Sequence, residues 1–509
     1  MDWSAVYDNH GEEEGRWEDH GETRSSRNAH RLLHRKMSLP FEPIAADVST
    51  QYSPLVAYAF TVNYILGVGS LGIPYAFFRA GLAMSNLMIV LVTLISYMTV
   101  MWVSETVARA REAYVVSYIN ETTPLNESDA KAAELRYDDF PEVTQLCDRF
   151  LGKLGSRMYQ LSLLGLMYGG LLGYSQVFVN SFLTQVTSIG GVEITSLHAA
   201  LLFGSIVIPL SCSDLTEQIY VQLAMSIVRF GALLIMIVSA SYAMYADPYD
   251  SGVDWASLSS DAATASPPFV SEYKLVDLSG FGVMFSTGVF SQLFQHSVPG
   301  LLAPLGTRNQ VKSHAIFGST LVTTMLFYIV LGSICSLYFG PKVASSINLN
   351  WADFTWGLAA SASLLPLWVK IMSTIVVIFP ALDTLSVYPL ISVTLGDNMA
   401  AVVPHRWVSA FGGKPFWKLV CRFAASIPPL LVSVFVSDLS ITLQFSGMSG
   451  IYVAFFAPAL LQLYASREFP SSNVYSGAFS SVRYVYAVLV FGVLAFGVLL
   501  YQLTQQLVA

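Results

Sequence analysis

The chain has 509 residues, of which 54% are hydrophobic and only 12% are charged. Soluble domains carry roughly a quarter charged residues, so this chain has too little polar surface for a water-soluble protein of its length. Its 26 Lys and Arg residues are dispersed and not interleaved with aromatic residues, which excludes a nucleic-acid-binding surface. The net charge of −8 says little about partners, because its distribution across a membrane matters more.

Residues 1–52 are polar and lack the apolar core that a cleavable signal peptide requires. Acidic residues are frequent in this segment and apolar residues are few, a composition typical of disorder. We therefore predict a disordered cytosolic tail over residues 1–52, which could bind a cytosolic partner. The first apolar block would then act as an uncleaved signal-anchor.

Eleven apolar blocks follow the tail, and most are near the length of about 20 residues that crosses a hydrocarbon core of about 30 Å. They lie at residues 56–78, 82–106, 157–186, 197–212, 219–245, 277–304, 314–339, 361–389, 418–437, 440–464 and 483–507. The sequence therefore predicts an all-α polytopic membrane protein with eleven transmembrane helices, embedded in the lipid bilayer.

The positive charges predict the orientation of these spans. With the N-terminus in the cytosol, all but a few of the Lys and Arg residues lie on the cytosolic side, as the positive-inside bias requires. The exceptions are Arg79, Lys274 and Lys342 outside, and Arg229 and Lys370 within spans. The opposite orientation would invert this ratio.

The first span contains Gly67, Gly69, Gly72 and Pro74 midway along the apolar block. Lipid offers no partner to an unpaired backbone group, so a broken helix is tolerated only where it lines a polar cavity inside the protein. The alternative is that the glycines allow close helix packing, since Gly and Pro are common in membrane helices.

The sixth span carries a second interruption over residues 295–300, which includes His296, Pro299 and Gly300. Interruptions at matching positions of two five-helix halves indicate the binding site of a transporter. Half-helix N-termini favour a carboxylate, and unwound carbonyl groups favour a cation or an ammonium group. A zwitterionic amino acid matches both, so the paired breaks favour a site over simple packing.

Residues 63–77 of the first span and the stretch 140–155 resemble the amino acid/auxin permease family of the APC superfamily. Residues 295–304 and 379–395 are more narrowly similar to the transmembrane protein 104 branch. The resemblance runs from about residue 52 to the end of the chain. It implies a leucine-transporter-like fold, with two inverted five-helix repeats, broken first and sixth helices and one extra helix.

On this resemblance the chain divides into a tail, two repeats, a loop and a last helix. The expected boundaries are 53–245 for the first repeat, 246–276 for an extracytosolic loop, 277–465 for the second repeat and 466–509 for the eleventh helix and C-terminus.

The family motif implies that Gly67, Gly69, Ser70 and Leu71 bind the amino-acid moiety of a substrate through backbone groups. Asn63 lies one turn before the break, where it could face the site or form a hydrogen bond between helices.

From the sixth span, Phe290 and Ser291 lie before the break, and Gln295 and His296 lie at it. His296 could carry a proton, since histidine titrates near neutral pH, or could be a hydrogen-bonded structural residue. Ser297 departs from the bulky or acidic residue that often follows this histidine in the wider family.

Five residues are candidates for ion coupling. Asn63 belongs to this group as well, and Ser373 and Thr374 of the eighth span lie where sodium-coupled relatives complete an ion site. Asp383 is the only carboxylate of that span. Because a charged side chain within a span raises the free energy of insertion, we expect Asp383 to face water or a partner. Arg229 could take the place of a coupling cation as a fixed charge, or snorkel to the cytosolic interface.

These patterns predict a secondary active transporter of amino acids, coupled by symport to Na⁺ or H⁺. The alternative is a transport-fold sensor that binds an amino acid and signals through its cytosolic tail. No nucleotide-binding loop, nucleophile motif, acid/base pair or metal-ligand spacing indicates an enzyme, a cofactor or a metal site. We expect a multi-pass protein of an endolysosomal or plasma membrane.

Overall fold

The computed structural model describes residues 52–121, 140–212, 219–246, 274–356, 366–403, 407–408 and 413–508. The predicted tail and most of the predicted outer loop lie outside these ranges. Residues 51–111 and 139–509 belong to one compact unit, which contains every helix that carries a predicted site residue. The predicted division into two repeats stays a prediction.

The first half of the unit is helical apart from one short hairpin. Its helices are α1 (Pro54–Ile65), α2 (Gly69–Ala80), α3 (Leu82–Glu121), α4 (Val143–Gln185), α5 (Ser196–Cys212) and α6 (Ile219–Ala246). Between α4 and α5, β1 (Ser188–Ile189) pairs antiparallel with β2 (Val192–Glu193). The expectation of an all-α chain missed this hairpin, whose turn is made by Gly190 and Gly191, both with positive φ.

The second half contains both short and long helices. They are α7 (Phe281–Ser291), α8 (Val298–Leu302), α9 (Thr307–Gln310), α10 (Ser313–Phe339), α11 (Leu367–Val402), α12 (Gly413–Ser433), α13 (Leu439–Ile451), α14 (Ala457–Glu468) and α15 (Val482–Val508). A π-helical turn, Tyr452–Phe456, joins α13 to α14, and 3₁₀ turns occupy Leu278–Gly280, Gln295–Ser297, Gly340–Lys342 and Ile347–Trp351.

Length and hydropathy identify 8 described helical segments that could cross a membrane, or up to 9 when α1 and α2 count as one bent span. Two other predicted blocks appear as α5, which is 17 residues long, and as the pair α7 and α8. Neither of these is a single continuous helix of 18 residues or more, so neither is among the 8 segments. The polytopic α-helical architecture is therefore confirmed, and the count of eleven spans stays a prediction.

The first predicted break is present between α1 and α2, whose axes differ by 56°. Pro54 starts α1, where its missing N–H costs nothing, and the Ser53 hydroxyl caps that end by accepting from the amide of Val56 at 3.3 Å. At the other end Leu66 leaves helical geometry, with ψ of 73°. The C-terminal carbonyl groups of α1 consequently lack intrahelical donors in mid-span.

The second predicted break separates α7 from α8. It begins at Gln292, three residues earlier than the sequence indicated, because α7 ends at Ser291. A 3₁₀ turn, Gln295–Ser297, then leads into α8, which carries Pro299 in its first turn. Both predicted interruptions are thus real breaks in the helical hydrogen bonding.

Close helix packing places α7 against α13. A Cβ atom on Gly447 of α13 would lie 2.1 Å from the carbonyl oxygen of Ser286, a backbone atom that cannot rotate away. We expect Gly447→Ala to lower the free energy of unfolding by about 1–3 kcal/mol through overpacking. Gly497→Ala is the control, because a Cβ there meets nothing within 4 Å. Thermal unfolding in detergent measures both, and equal melting temperatures would contradict the expectation.

Candidate functional site

The guanidinium group of Arg229, from α6, lies against the end of α1. Its Nη1 donates to the backbone oxygen of Asn63 at 3.0 Å, to the side-chain Oδ1 of Asn63 at 2.8 Å, and to the carbonyl oxygen of Leu66. Carbonyl groups at a helix C-terminus carry partial negative charge and need donors. Arg229 supplies both the donors and the positive charge.

Asp383 of α11 binds the other edge of the same guanidinium group. Nε donates to Oδ2 at 3.0 Å and Nη2 donates to Oδ1 at 2.7 Å, which is the bidentate geometry that arginine favours with a carboxylate. Arg229 is 4% exposed and Asp383 is 6% exposed. The pair therefore joins α6, α11 and the broken first span inside the protein, and Arg229 does not snorkel to an interface.

Tyr328, from α10, connects the two breaks. Its hydroxyl oxygen lies 3.1 Å from the carbonyl oxygen of Ile65 and 3.1 Å from that of Ser291, and the side chain is fully buried. A single hydroxyl proton serves both carbonyl groups, which end α1 and α7 respectively. Tyr328 was not among the residues predicted from the sequence. The sequence feature that could have identified it is a tyrosine within an apolar span, because a buried tyrosine hydroxyl usually has a hydrogen-bond partner.

The start of α2 packs against the end of α7. A Cβ atom on Gly69 would lie 2.5 Å from the Oγ of Ser291 and 3.0 Å from the Cδ1 of Phe290. The Ser70 hydroxyl donates to the carbonyl oxygen of Gly67 at 2.8 Å, within the first break. The structure thus brings Gly69 of the first span against Phe290 and Ser291 of the sixth, and Leu71 follows, buried, in α2.

The side chain of Ser291 lies inside the protein at this junction. It is 2% exposed, and among the described residues its Oγ has no hydrogen-bond partner. Tyr174 of α4 is a second hydroxyl nearby, 2.9 Å from the position of a Cβ on Gly67. Two hydroxyl groups from different helices therefore border the break next to the N-terminus of α2.

Gln295 and His296 differ in what surrounds them. Gln295 Nε2 donates to Thr99 Oγ1 at 3.0 Å, and its Oε1 accepts from the amide of Phe294, so both ends of this buried side chain anchor the break. His296 is half-buried beside Tyr64, with ring centroids 6.1 Å apart. Its Nδ1 has no partner within the part of the chain that the structure describes.

The predicted ion-coupling residues of α11 separate into two groups. Asp383 reaches the end of α1 through Arg229, whereas Ser373 lies ten residues earlier, about 15 Å along the helix, and Thr374 is its neighbour. Ser373 Oγ is buried without a partner among the described residues. Asp383 is thus connected to the end of α1 through Arg229, and a role of Ser373 and Thr374 in ion coupling stays a prediction.

The described part of the segment between α10 and α11 is attached to two helices of the first half. Asn348 Nδ2 donates to Ser181 Oγ of α4 at 2.9 Å, and Trp351 Nε1 donates to Ser239 Oγ of α6 at 3.0 Å. These contacts hold the segment after α10 against the bundle.

The sequence profile of the transmembrane amino acid transporter protein family matches residues 50–505. The chain belongs to this family. Its members are membrane transporters rather than enzymes, and the predicted resemblance is confirmed. Within the described residues, no group of three or more His, Cys, Asp or Glu side chains could hold a metal ion.

Several relatives of this transporter-family protein share most of its length. Transmembrane protein 104 homolog of Dictyostelium discoideum is 22% identical over 505 residues, covering 87% of this chain and 95% of the relative. Transmembrane protein 104 of Mus musculus is 23% identical, covering 81% and 87%, and that of Homo sapiens is 23% identical, covering 82% and 88%.

Two solved structures are also similar to the transporter-family chain. MhsT in complex with L-phenylalanine aligns with a TM-score of 0.49 and 11% identity, covering 89% of this chain and 99% of that one. The inward-facing conformation of Mhp1 aligns with a TM-score of 0.49 and 12% identity, covering 89% and 90%.

Proposed function

We propose that this protein is a secondary active transporter that carries amino acids across a membrane by alternating access, driven by a proton or sodium gradient. The observation that supports this most directly is the meeting of two interrupted spans at a buried hydroxyl, Ser291, that no described protein group satisfies. Membership of the transmembrane amino acid transporter family supports the substrate class.

The proposed topology has eleven spans with the N-terminus in the cytosol. The short helix α5 is the fourth span, and α7 with α8 is the sixth. Spans one to five and six to ten then form two inverted repeats, each with an interruption in its first member. Breaks at corresponding positions of two repeats are the arrangement by which transporters build a site near the middle of the bilayer.

A substrate carboxylate would bind at the N-terminus of α2. The amides of Ser70 and Leu71 already donate to the carbonyl oxygens of Gly67 and Val68, so the carboxylate would bind beside the amide of Gly69, at the positive end of the helix dipole. Ser291 Oγ lies at this end of the helix, since it is within 2.5 Å of where a Cβ on Gly69 would be. It would donate its proton to a carboxylate oxygen. The hydroxyl of Tyr174, beside Gly67, is positioned to accept from the substrate amino group.

Alternating access requires two conformations that expose the site to opposite sides of the membrane. In the proposed orientation the segment at Asn348 and Trp351 lies on the extracytosolic side and is attached to α4 and α6. Opening of that side would require these two hydrogen bonds to break.

Uptake into liposomes tests the proposal. Labelled amino acids are offered to the reconstituted protein with an inward proton gradient, a sodium gradient or no gradient. We expect accumulation of at least one amino acid under one gradient. Saturable binding with no accumulation under any gradient would overturn transport and leave the alternative of an amino-acid sensor.

The hydroxyl of Ser291 provides the site-specific arm of this test. We expect Ser291→Ala to raise KM for uptake about tenfold or more, because a hydrogen bond to a charged group contributes about 1.5–3 kcal/mol. Ser286→Ala is the matched control, since its Oγ is also buried and unpartnered among the described residues, five positions earlier on α7. Equal KM values for the two variants would show that the Ser291 hydroxyl does not bind the substrate.

A further inference from the structure

The connection between α14 and α15 is attached to α3 by polar side chains. Within residues 473–480, which lie on the cytosolic side in the proposed topology, Ser476 Oγ donates to the carboxylate of Glu105 at 3.4 Å. Ser480 Oγ donates to the other oxygen of the same carboxylate. Asn473 Nδ2 donates to the backbone oxygen of Glu105 at 3.2 Å. Three side chains of one short segment therefore converge on a single residue of α3.

The carboxylate of Glu105 is fully buried and also binds α14. Arg109 Nη2 donates to it at 2.9 Å, and Gln462 Nε2, from α14, donates to it at 3.0 Å. One turn earlier on α3, Trp102 Nε1 donates to the carbonyl oxygen of Phe479 at 2.9 Å. A buried carboxylate needs protein donors in place of water, and the hydroxyl groups of residues 473–480 complete this set. The segment thus fastens α3 to α14.

The same segment holds the chain that follows the second break. The hydroxyl of Tyr475, which is 2% exposed, donates to Gln310 Oε1 at 3.2 Å. Gln310 Nε2 in turn donates to the carbonyl oxygen of Leu305 at 2.9 Å, and Leu305 follows the last residue of α8 closely. Residues 473–480 therefore contact α3 and, through Gln310, the connection between α8 and α9.

α3 also carries the second break itself. Gln292 Nε2 donates to Thr93 Oγ1 at 3.2 Å, and Gln295 Nε2 donates to Thr99 Oγ1 at 3.0 Å. Residues 93–109 of α3 contain neither Gly nor Pro, the residues at which helices most often kink. The two threonines and the carboxylate that binds the segment consequently shift together. A movement of the break away from its present position requires either α3 to move or these two hydrogen bonds to separate.

Polar contacts make the attachment releasable. Ser476 and Ser480 are half-buried, so water reaches the edge of this cluster. Hydroxyl groups exchange a protein acceptor for water at a small net cost, because water replaces the hydrogen bond that is lost. We infer that residues 473–480 form a latch on α3 and on the chain after α8, and that release of the latch makes the second break mobile. In the proposed transport cycle, the latch would control the movement of the sixth span.

Hydrogen–deuterium exchange of the purified, full-length protein in detergent, measured by mass spectrometry, tests the latch. The variant combines Ser476→Ala with Ser480→Ala, which removes both hydroxyl donors and leaves the pair of Glu105 and Arg109 intact. We expect amide exchange within residues 473–480 to rise about tenfold or more, because hydrogen bonds to a charged group are lost.

The second break provides the decisive readout. The amide of Phe294 donates to Gln295 Oε1 at 3.0 Å, and Gln295 is held by Thr99 of α3. Release of α3 should loosen this contact, so exchange within residues 292–297 should rise in the same variant. Exchange in α5 is the internal reference and should stay at the wild-type rate.

Ser481→Ala is the matched control, because this serine is exposed at the end of the same segment. It should leave exchange unchanged in both regions. Asn473→Ala is a second variant, which removes the amide that binds the backbone of Glu105. It should raise exchange in both regions, as the double serine variant does.

Three results overturn the inference. A rise confined to residues 473–480 would show that the segment has no hold on the second break. Unchanged exchange in both regions would show that these side chains do not fasten it. Loss of the fold in both variants, seen as raised exchange throughout α5, would make the segment part of the folded core and not a releasable latch. Failure of amino-acid uptake by wild type would count against the proposed transport function and would leave the exchange result unaffected.

Discussion

Asp383→Asn is expected to destabilise the protein by about 3–5 kcal/mol, the cost of leaving a buried charge without its partner. Asparagine has nearly the same shape as aspartate and can accept one hydrogen bond, but it cannot neutralise Arg229. The guanidinium group would keep its contacts with Asn63 and Leu66, which are dipoles and not charges. Because Arg229 is buried, little water can solvate its unpaired charge.

The measurement is the melting temperature and the recovered yield of monodisperse protein after detergent extraction. The matched control is Glu468→Gln, which removes a carboxylate that also pairs with an arginine, Arg149, but in a pair whose side chains are 45% (Arg149) and 43% (Glu468) exposed. Exposed pairs contribute about 0–1 kcal/mol, so that variant should remain close to wild type. If Asp383→Asn melts at the wild-type temperature, the pair is not a stabilising link between the first span and α11.

A double variant separates the charge from the shape of the site. Arg229→Met with Asp383→Leu removes both charges and fills much of the same volume with apolar atoms. Replacement of a whole buried pair is often far less damaging than removal of one partner. We expect the double variant to be more stable than Asp383→Asn. It should nonetheless fall short of wild type, because the carbonyl groups of Asn63 and Leu66 lose their donors.

The breaks could be predicted from the sequence because they depend on local chemistry. Clustered glycines and prolines disfavour continuous helix, so the clusters at residues 67–74 and 295–300 identified both interruptions to within a few residues. Pro74 itself lies inside α2, since the break ends before Gly69. The hairpin at residues 188–193 was missed because two residues per strand leave no alternation for a pattern to reveal. The length of α3, which ends at Glu121, exceeds its apolar block because a helix can continue beyond the hydrocarbon core.

The partners within the site could not be predicted in the same way. Asn63, Arg229 and Asp383 were each noted separately, because polar groups within apolar spans require an explanation. Their pairing joins residues 154 and 166 positions apart in the chain, and it depends on how α1, α6 and α11 pack. Ser373 and Thr374 were chosen by resemblance to sodium-coupled relatives.

The contacts of Tyr328 and Arg229 impose a condition on any conformational cycle. Together they satisfy the carbonyl groups of Asn63, Ile65, Leu66 and Ser291, which end the helices on one side of each break. An unpaired carbonyl group in a membrane interior costs several kcal/mol. If α1 moves during transport, these donors must therefore move with it or be exchanged for water that enters the opened side.

Gly69→Trp should abolish amino-acid uptake, since the position has no room for a side chain. A Cβ atom would already lie 2.5 Å from Ser291 Oγ and 3.2 Å from the backbone Cα of Ser291. The first of these contacts can be relieved by rotation of a hydroxyl, but the second needs the breaks to separate. An indole group would then occupy the space at the start of α2 that the substrate carboxylate needs.

Uptake in proteoliposomes and melting temperature should be measured together on three variants. Gly69→Ala should retain reduced uptake, because one methyl group displaces the Ser291 hydroxyl and the Phe290 ring and needs only a small separation of the breaks. Gly69→Trp should fall to the background of empty liposomes. Gly300→Trp is the matched control at the other break, where a Cβ meets nothing within 4 Å and the residue is exposed. It should keep most of the wild-type uptake. A folded Gly69→Trp protein that transports at the wild-type rate would place the substrate path elsewhere, because no amino acid could then share that junction with an indole ring.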